Sequence, residues 1–433
     1  MTYRPVIDRF VGPVPLDPPS AALFVAAFVA AVWLTARRPA YGLCALILAM
    51  PLAFAHEIFG TAITLPKCVL LGVLVGLASH AGATKLLRER PAPLLLAALG
   101  VYLVANALTI AGAAHRDPAI RETLKVVEYA GIFVAAFVAY RLDPDDAPLI
   151  AATAVAAIVV ALSALAQEVV GAPSGLYIGP AIVPRIAGVL EGPNQLSAYG
   201  EIAAATLGAW ALVRRTALLD AALALIVCAD VLSFSRAGLF ALAVVATVLA
   251  IAGGKAAWRA LRPALLGLVA GIAGAGWWIV YAHTPGVLRL TLEPSLYAGG
   301  VGNRSELWSA AWRMWRDRPL LGAGAGNFEL ELPRYGVFGV RTHANSWYLQ
   351  SLAEGGIVLF GATLALVGAI GASFGTRSLT QLRESSPWIV AALAATIALA
   401  LHQLVDLLVF YPKVGGAWWL LVGVAAAALA ARV

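Results

Sequence analysis

The feature that most restricts this chain is a succession of apolar runs, each approaching or exceeding the length needed to cross a hydrocarbon layer of roughly 30 Å, separated by connections that hold most of the charge. The runs are Ala21–Ala36, Tyr41–Ala55, Thr64–Ser79, Leu94–Ala111, Leu124–Tyr140, Pro148–Val170, Leu196–Val213, Ala217–Leu232, Ala237–Ala252, Ala264–Tyr281, Ser346–Phe374, Trp388–Leu408 and Val414–Ala431. They predict an all-α polytopic membrane protein of about 12 or 13 transmembrane helices in one bundle, the second short and partly re-entrant. A soluble fold has no means of hiding this much apolar surface. Only 12% of the residues are charged, against about 25% in soluble domains, and the mean hydropathy is +0.86.

The net charge of +7 does not point to nucleic acid, because the basic residues are scattered through the connections rather than gathered on one soluble face. Membrane topology and anionic lipids account for it better. Cys44, Cys68 and Cys228 all fall inside apolar runs, which suggests neither disulfides nor a zinc site. The first residues, with Asp8, Asp17 and five prolines before Ser20, lack the basic start and cleavage signal of a secretory leader.

Lys85, Arg88 and Arg90, then Arg214 and Arg215, then Lys255, Arg259 and Arg262, then Arg377 and Arg383 fall in alternate connections, which the positive-inside rule makes cytoplasmic. The connections of opposite phase are then periplasmic: Ala172–Asn194, the turn at Ser235 and Arg236, the long loop Ala282–Asn345, and Val409–Lys413. In the long loop, Asn303 and Glu306 resemble a capping box, and Trp308, Trp312 and Trp315 recur at helical spacing before Pro319. The segment near 304–317 is expected to be an interfacial helix, with its tryptophans at headgroup depth and Arg304, Arg313, Arg316 and Arg318 facing phosphates or a cavity. The plainer alternative is a membrane-anchored connector.

Several polar groups on that face need partners. Arg236, in Ser233-Phe234-Ser235-Arg236-Ala237-Gly238, stands at the mouth of an apolar helix, where an unpaired cation costs a few kcal/mol; it either snorkels to headgroups or binds an anion. Arg185 precedes Gly192-Pro193-Asn194, a helix start at which Asn194 caps free N–H groups. Together the two guanidinium forks suit a diphosphate. His343 lies in Arg341-Thr342-His343-Ala344-Asn345-Ser346-Trp347-Tyr348, where the long loop re-enters the membrane; a titration near pH 6.5 suits such a residue to general-base work.

Two further features have plain readings. The run Gly322-Ala323-Gly324-Ala325-Gly326-Asn327 has neither a following Lys-Ser/Thr nor a preceding strand, so it reads as a tight turn rather than a nucleotide loop. His402 and Asp406 are spaced to face one another on a late helix and to orient each other or a nearby arginine.

In order along the chain, Arg185-x-x-Gly188 with Pro193-Asn194, Ser235-Arg236-Ala237-Gly238, Arg304 through Trp308, Pro319 to Asn327, His343-x-Asn345 with Tyr348, and Glu354-Gly355-Gly356 resemble the O-antigen ligase family of bacterial membrane glycosyltransferases. The helices before Arg185 are similar only in hydrophobicity. The resemblance implies a GT-C-like bundle in the bacterial inner membrane, with a periplasmic site that uses no cofactor, metal or nucleotide sugar. It implies inverting transfer from undecaprenyl diphosphate-linked glycan to lipid A core. Arg185, Arg236 and His343 map onto the family's essential residues, and Arg341, Asn345, Arg304, Asn194 and Tyr348 are further candidates for substrate contact. Related polymerases and protein O-oligosaccharyltransferases share these pieces. A transporter is the reading from another class, and it would place ionisable groups near the bilayer midplane rather than at one face.

Overall fold

The computed structural model describes residues 16–52, 55–58, 61–178, 181–281, 304–338, 342–375 and 378–432. Each apolar run forms a helix: α1 (Pro18–Arg37), α2 (Pro39–Ala49), α3 (Leu65–Ala78), α4 (Ala92–Gly112), α5 (Arg116–Leu142), α6 (Asp146–Val170), α7 (Pro193–Ala211), α8 (Ala217–Leu232), α9 (Arg236–Gly253), α10 (Ala257–Tyr281), then α12 (Trp347–Gly375), α13 (Pro387–His402) and α14 (Pro412–Ala430). Between them, α11 (Arg304–Asp317) is the helix expected in the long connection. Asn303, the expected cap, lies outside the described residues.

Many starts follow from local chemistry. Proline occupies the first turn of α1, α7, α13 and α14, where its missing N–H has no intrahelical partner to lose. Asp17, Thr216 and Ser235 cap α1, α8 and α9 by accepting from backbone N–H groups.

Among the described residues, seven helical stretches are long and apolar enough to cross a membrane, with Arg236–Tyr281 taken as one stretch. This is a multi-pass membrane protein. The α2, α3 and α13 helices are shorter apolar pieces; at about 1.5 Å per residue the 11 residues of α2 fall well short of a full crossing. After α2 the chain forms a hairpin, β1 (Ala55–Ile58) antiparallel to β2 (Thr61–Thr64). A second hairpin, β3 (Ser174–Ile178) with β4 (Ala181–Arg185), carries Arg185 at its end. Neither hairpin was expected from the sequence. The run expected to reach Leu408 stops as a helix at His402, and residues 403–411 fold back as turns.

Helix packing relies on small residues, as it does where lipid removes the hydrophobic drive between helices. A Cβ on Gly267 of α10 would lie 2.1 Å from the Ala224 carbonyl oxygen of α8, and one on Gly423 of α14 would lie 2.6 Å from Ala136 Cβ of α5. The α7 helix runs through the middle, buried almost throughout from Gln195 to Ala211. At one end of the bundle, Arg38 pairs with Asp143 and Asp145, Arg141 pairs with Glu89, and Arg383 donates to the Ile251 carbonyl. The arginine and histidine motifs gather at the other.

The α11 helix buries Leu307, Ala310, Ala311 and Met314 against Phe328, Leu332 and Ala353, while Trp312 remains half exposed. It packs on α12 and is not a free connector. The α12 helix breaks at Gly356, which has φ 60 and ψ −158. The amides of Ile357 and Val358 beyond the break donate to the carbonyls of Pro319 and Leu320. The Gly356→Ala variant would bring a Cβ 2.4 Å from the Leu320 carbonyl in a backbone region L-residues avoid. We expect a loss of about 1–3 kcal/mol, seen as earlier thermal unfolding in detergent; an unchanged transition would contradict this packing.

Candidate functional site

Arg185 leaves the end of β4 and turns inward. Its Nε donates to the Ser233 carbonyl at 2.9 Å, at the end of α8, and its Nη2 donates to Asn194 Oδ1 at 2.9 Å, in the first turn of α7. Asn194 in turn donates through Nδ2 to Asp406 Oδ2 at 2.5 Å. Asp406 is held by the Leu407 amide on its other oxygen, and the Trp347 amide at the start of α12 donates to its carbonyl. One side chain is thus fixed by four separate segments of the chain.

Arg236 begins α9 and is exposed, and it makes no side-chain hydrogen bond or ion pair to a described residue. Arg304 begins α11 and is exposed in the same way. Burial pushes the Arg185 guanidinium below its usual range; Asp406 opposes that shift, while repulsion from Arg304 and then Arg236 adds to it. Both exposed guanidiniums therefore act on Arg185. A cluster with more guanidinium charge than carboxylate charge suits a multiply charged anion.

His343 occupies a different place. It is 8% exposed, and its Nε2 lies 2.7 Å from the Tyr411 hydroxyl. It lines a cavity of about 500 Å³ with Glu122, Lys125, Gln350, Glu354 and Phe410, walled on one side by Leu70, Leu71, Leu74 and Leu124. Lys125 bonds Glu122 at 2.8 Å and sits 3.7 Å above the Phe410 ring. Burial, and secondarily the charge of Lys125, pushes the imidazole down to about 4. At neutral pH it is uncharged. Arg185, Arg236 and Arg304 do not line this cavity. The connection runs through the segment after α13, which carries Asp406 at the arginine side and Tyr411 at the histidine side. Lys413 ties it back to the Val189 carbonyl and to Glu191 at 3.3 Å.

The structure thus brings Arg185, Asn194, Arg236 and Arg304 together and sets His343 one loop away. Tyr348 donates to the Ala400 carbonyl at 3.0 Å, closing the end of α13. Asn345 has φ 48 and is half-buried in the turn before α12. Arg341 lies outside the described residues. The glycine run is a structural turn: the Ala323 and Gly324 amides donate to the Ala353 and Glu354 carbonyls, and the Ala325 amide donates to Thr109 Oγ1. Those N–H groups are occupied within the protein. The expected His402–Asp406 pairing does not form, because the helix ends at His402; the imidazole faces Glu201 at 2.5 Å and Asp406 faces Asn194. Tyr411 and Glu201 escaped the sequence reading, although a carboxylate inside the apolar α7 is a signal in its own right.

No curated protein matches the chain. Residues 221–364 match a family described as O-antigen ligase, a stretch that holds Arg236, Arg304, His343, Asn345, Tyr348, the glycine turn and the α12 break. Arg185 and Asn194 precede it, and Asp406 and Tyr411 follow it. Residues 221–364 of this multi-pass membrane protein are therefore similar to the O-antigen ligase family.

Proposed function

We propose that this chain is an inverting glycosyltransferase that moves a glycan from undecaprenyl diphosphate to lipid A core at the periplasmic face of the bacterial inner membrane. The convergence of Arg185, Arg236 and Arg304 carries this reading. The acceptor hydroxyl attacks the anomeric carbon from the face opposite the diphosphate, and the carbon–oxygen bond to the diphosphate breaks. Negative charge develops on the leaving oxygens, where fixed guanidinium donors stabilise it by a few kcal/mol. Arg185, Arg236 and Arg304 supply the positive charge at this site.

The acceptor enters the cavity beside His343. Carboxylates and an amide (Glu122, Glu354, Gln350) suit sugar hydroxyls there, and the leucine wall suits acyl chains. A buried imidazole held down near 4 is a weak base at neutral pH, yet it is always in the form that accepts a hydrogen bond. Its role is to orient the attacking hydroxyl as much as to take its proton.

Reconstitution with lipid-linked glycan and lipid A core, with chelator present, tests the reading on a gel of lipid products. Glycan on the core lipid supports it. Longer chains still on the carrier would make the protein a polymerase, transfer to added protein would make it an oligosaccharyltransferase, and movement of intact substrate across liposomes would make it a transporter. Arg236→Ala and Arg185→Ala are each expected to lower the transfer rate about 10²- to 10³-fold, and Arg236→Lys to restore little, because an ammonium lacks the two-point fork.

The pH dependence follows from His343. The neutral imidazole is the active form, so activity is retained as pH falls through 6.5 and is lost only near 4. Removing the nearby positive charge in Lys125→Ala moves that limb upward. A rate profile that falls with an ordinary histidine midpoint would count against this role.

A further inference from the structure

A second polar layer lies beneath the arginines, inside the helices. Glu201 of α7 and Asp230 of α8 are 0% exposed and His402 of α13 is 1% exposed. His402 Nδ1 meets Glu201 Oε1 at 2.5 Å. The remaining imidazole nitrogen, the other Glu201 oxygen and both Asp230 oxygens make no hydrogen bond of ordinary geometry, and the Ser197 hydroxyl stands beside Asp230. Buried polar groups are nearly always paired, and ionisable groups inside membrane helices point to function.

The layer is joined to the arginines through the same helices. On α7, Asn194 and Glu201 lie two turns apart on one face, and Asn194 holds Arg185. On α8, Asp230 comes three residues before Ser233, whose carbonyl also holds Arg185. His402 precedes Asp406 by four residues, and the charge of Asp406 reaches Arg185 on one side and Glu201 and His402 on the other. The α9 helix closes the layer with Gly238 pressed against Ser197. The charged group facing it from outside is therefore Asp406 at its edge, which also faces Arg185.

We propose that Glu201, His402 and Asp230 form a proton-accepting layer that takes up a proton from water when a diphosphate occupies the arginines. This rests on the arginines being a diphosphate site. An incoming anion makes the potential over the layer more negative, and closely spaced acids and imidazole respond as one titrating unit. A proton passes from hydronium to a carboxylate oxygen or imidazole nitrogen of the layer, one O–H bond of the hydronium breaking to leave water as the new bond forms. The extra negative charge left on the diphosphate after glycan departure is offset in the same way. These are positioning residues, since none of them touches the reacting atoms.

The experiment is calorimetric titration of the full-length protein in detergent with inorganic diphosphate, in buffers of different ionisation enthalpy. Binding to guanidinium favours the fully ionised ligand, so the ligand itself can only release protons. Wild-type protein is expected to show greater proton uptake than Asp230→Asn or Glu201→Gln. Its affinity for sulfate, an anion of constant charge, should rise as pH falls between about 8 and 6, by up to about tenfold per pH unit for one proton. The sulfate measurement needs only wild-type protein and stands even if the variants fail to fold. Diphosphate binding with equal proton counts in wild type and folded variants, or sulfate affinity indifferent to pH, overturns the layer alone. Failure of diphosphate to bind at any pH overturns the arginine site and the layer with it.

Discussion

A guanidinium partly buried at the end of a helical bundle must be held by dipoles and carboxylate if it is to stay cationic, and the chain Arg185–Asn194–Asp406, with the Ser233 carbonyl on the other nitrogen, does this. Its partners come from the starts and ends of different helices, so the site exists only when α7, α8 and the segment after α13 are in register. Once Arg185 is fixed, Arg236 and Arg304 are brought close enough to repel it, and the surplus of positive charge that makes the site useful follows from that placement.

The turns after α13 have an importance out of proportion to their length. They carry Asp406 to the arginines and Tyr411 to His343, and their backbone is tied down by Tyr129, whose hydroxyl donates to the Val409 carbonyl at 2.6 Å, and by Gln403, which accepts from the Val409 amide. Two chemically distinct places, a cationic floor and a cavity with a neutral imidazole, are thereby kept at a constant spacing. The proposed transfer between two bound substrates requires that arrangement, because misplacement of either by about an ångström is enough to cost much of the rate.

Much of this was legible in the residues themselves. Each apolar run became a helix because lipid leaves the backbone no other local way to satisfy its polar groups. Arg185 and Arg236 stood out because a cation beside an apolar helix needs a partner, and the helix in the long connection was visible in its tryptophan spacing. The hairpins were not legible, since their few residues carry no strong alternation. Nor was the end of α13: the apolar pattern continues through Leu407 and Leu408, while the backbone there is drawn into bonds with Trp347 and Tyr129.

By itself the sequence determined that the protein is a multi-pass helical bundle, where its charges gather, and which side chains need a counter-ion, because hydropathy and the penalty for an unpaired charge are local properties of the chain. Tertiary structure alone decided which of them found a partner among the described residues, and which partner it was. His402 was spaced for Asp406 and met Glu201 instead, and the glycine run, open as a sequence, had its amides taken by the broken α12. Partner choice depends on the meeting of segments some two hundred residues apart, as for Asn194 with Asp406, and no periodicity within either segment records it.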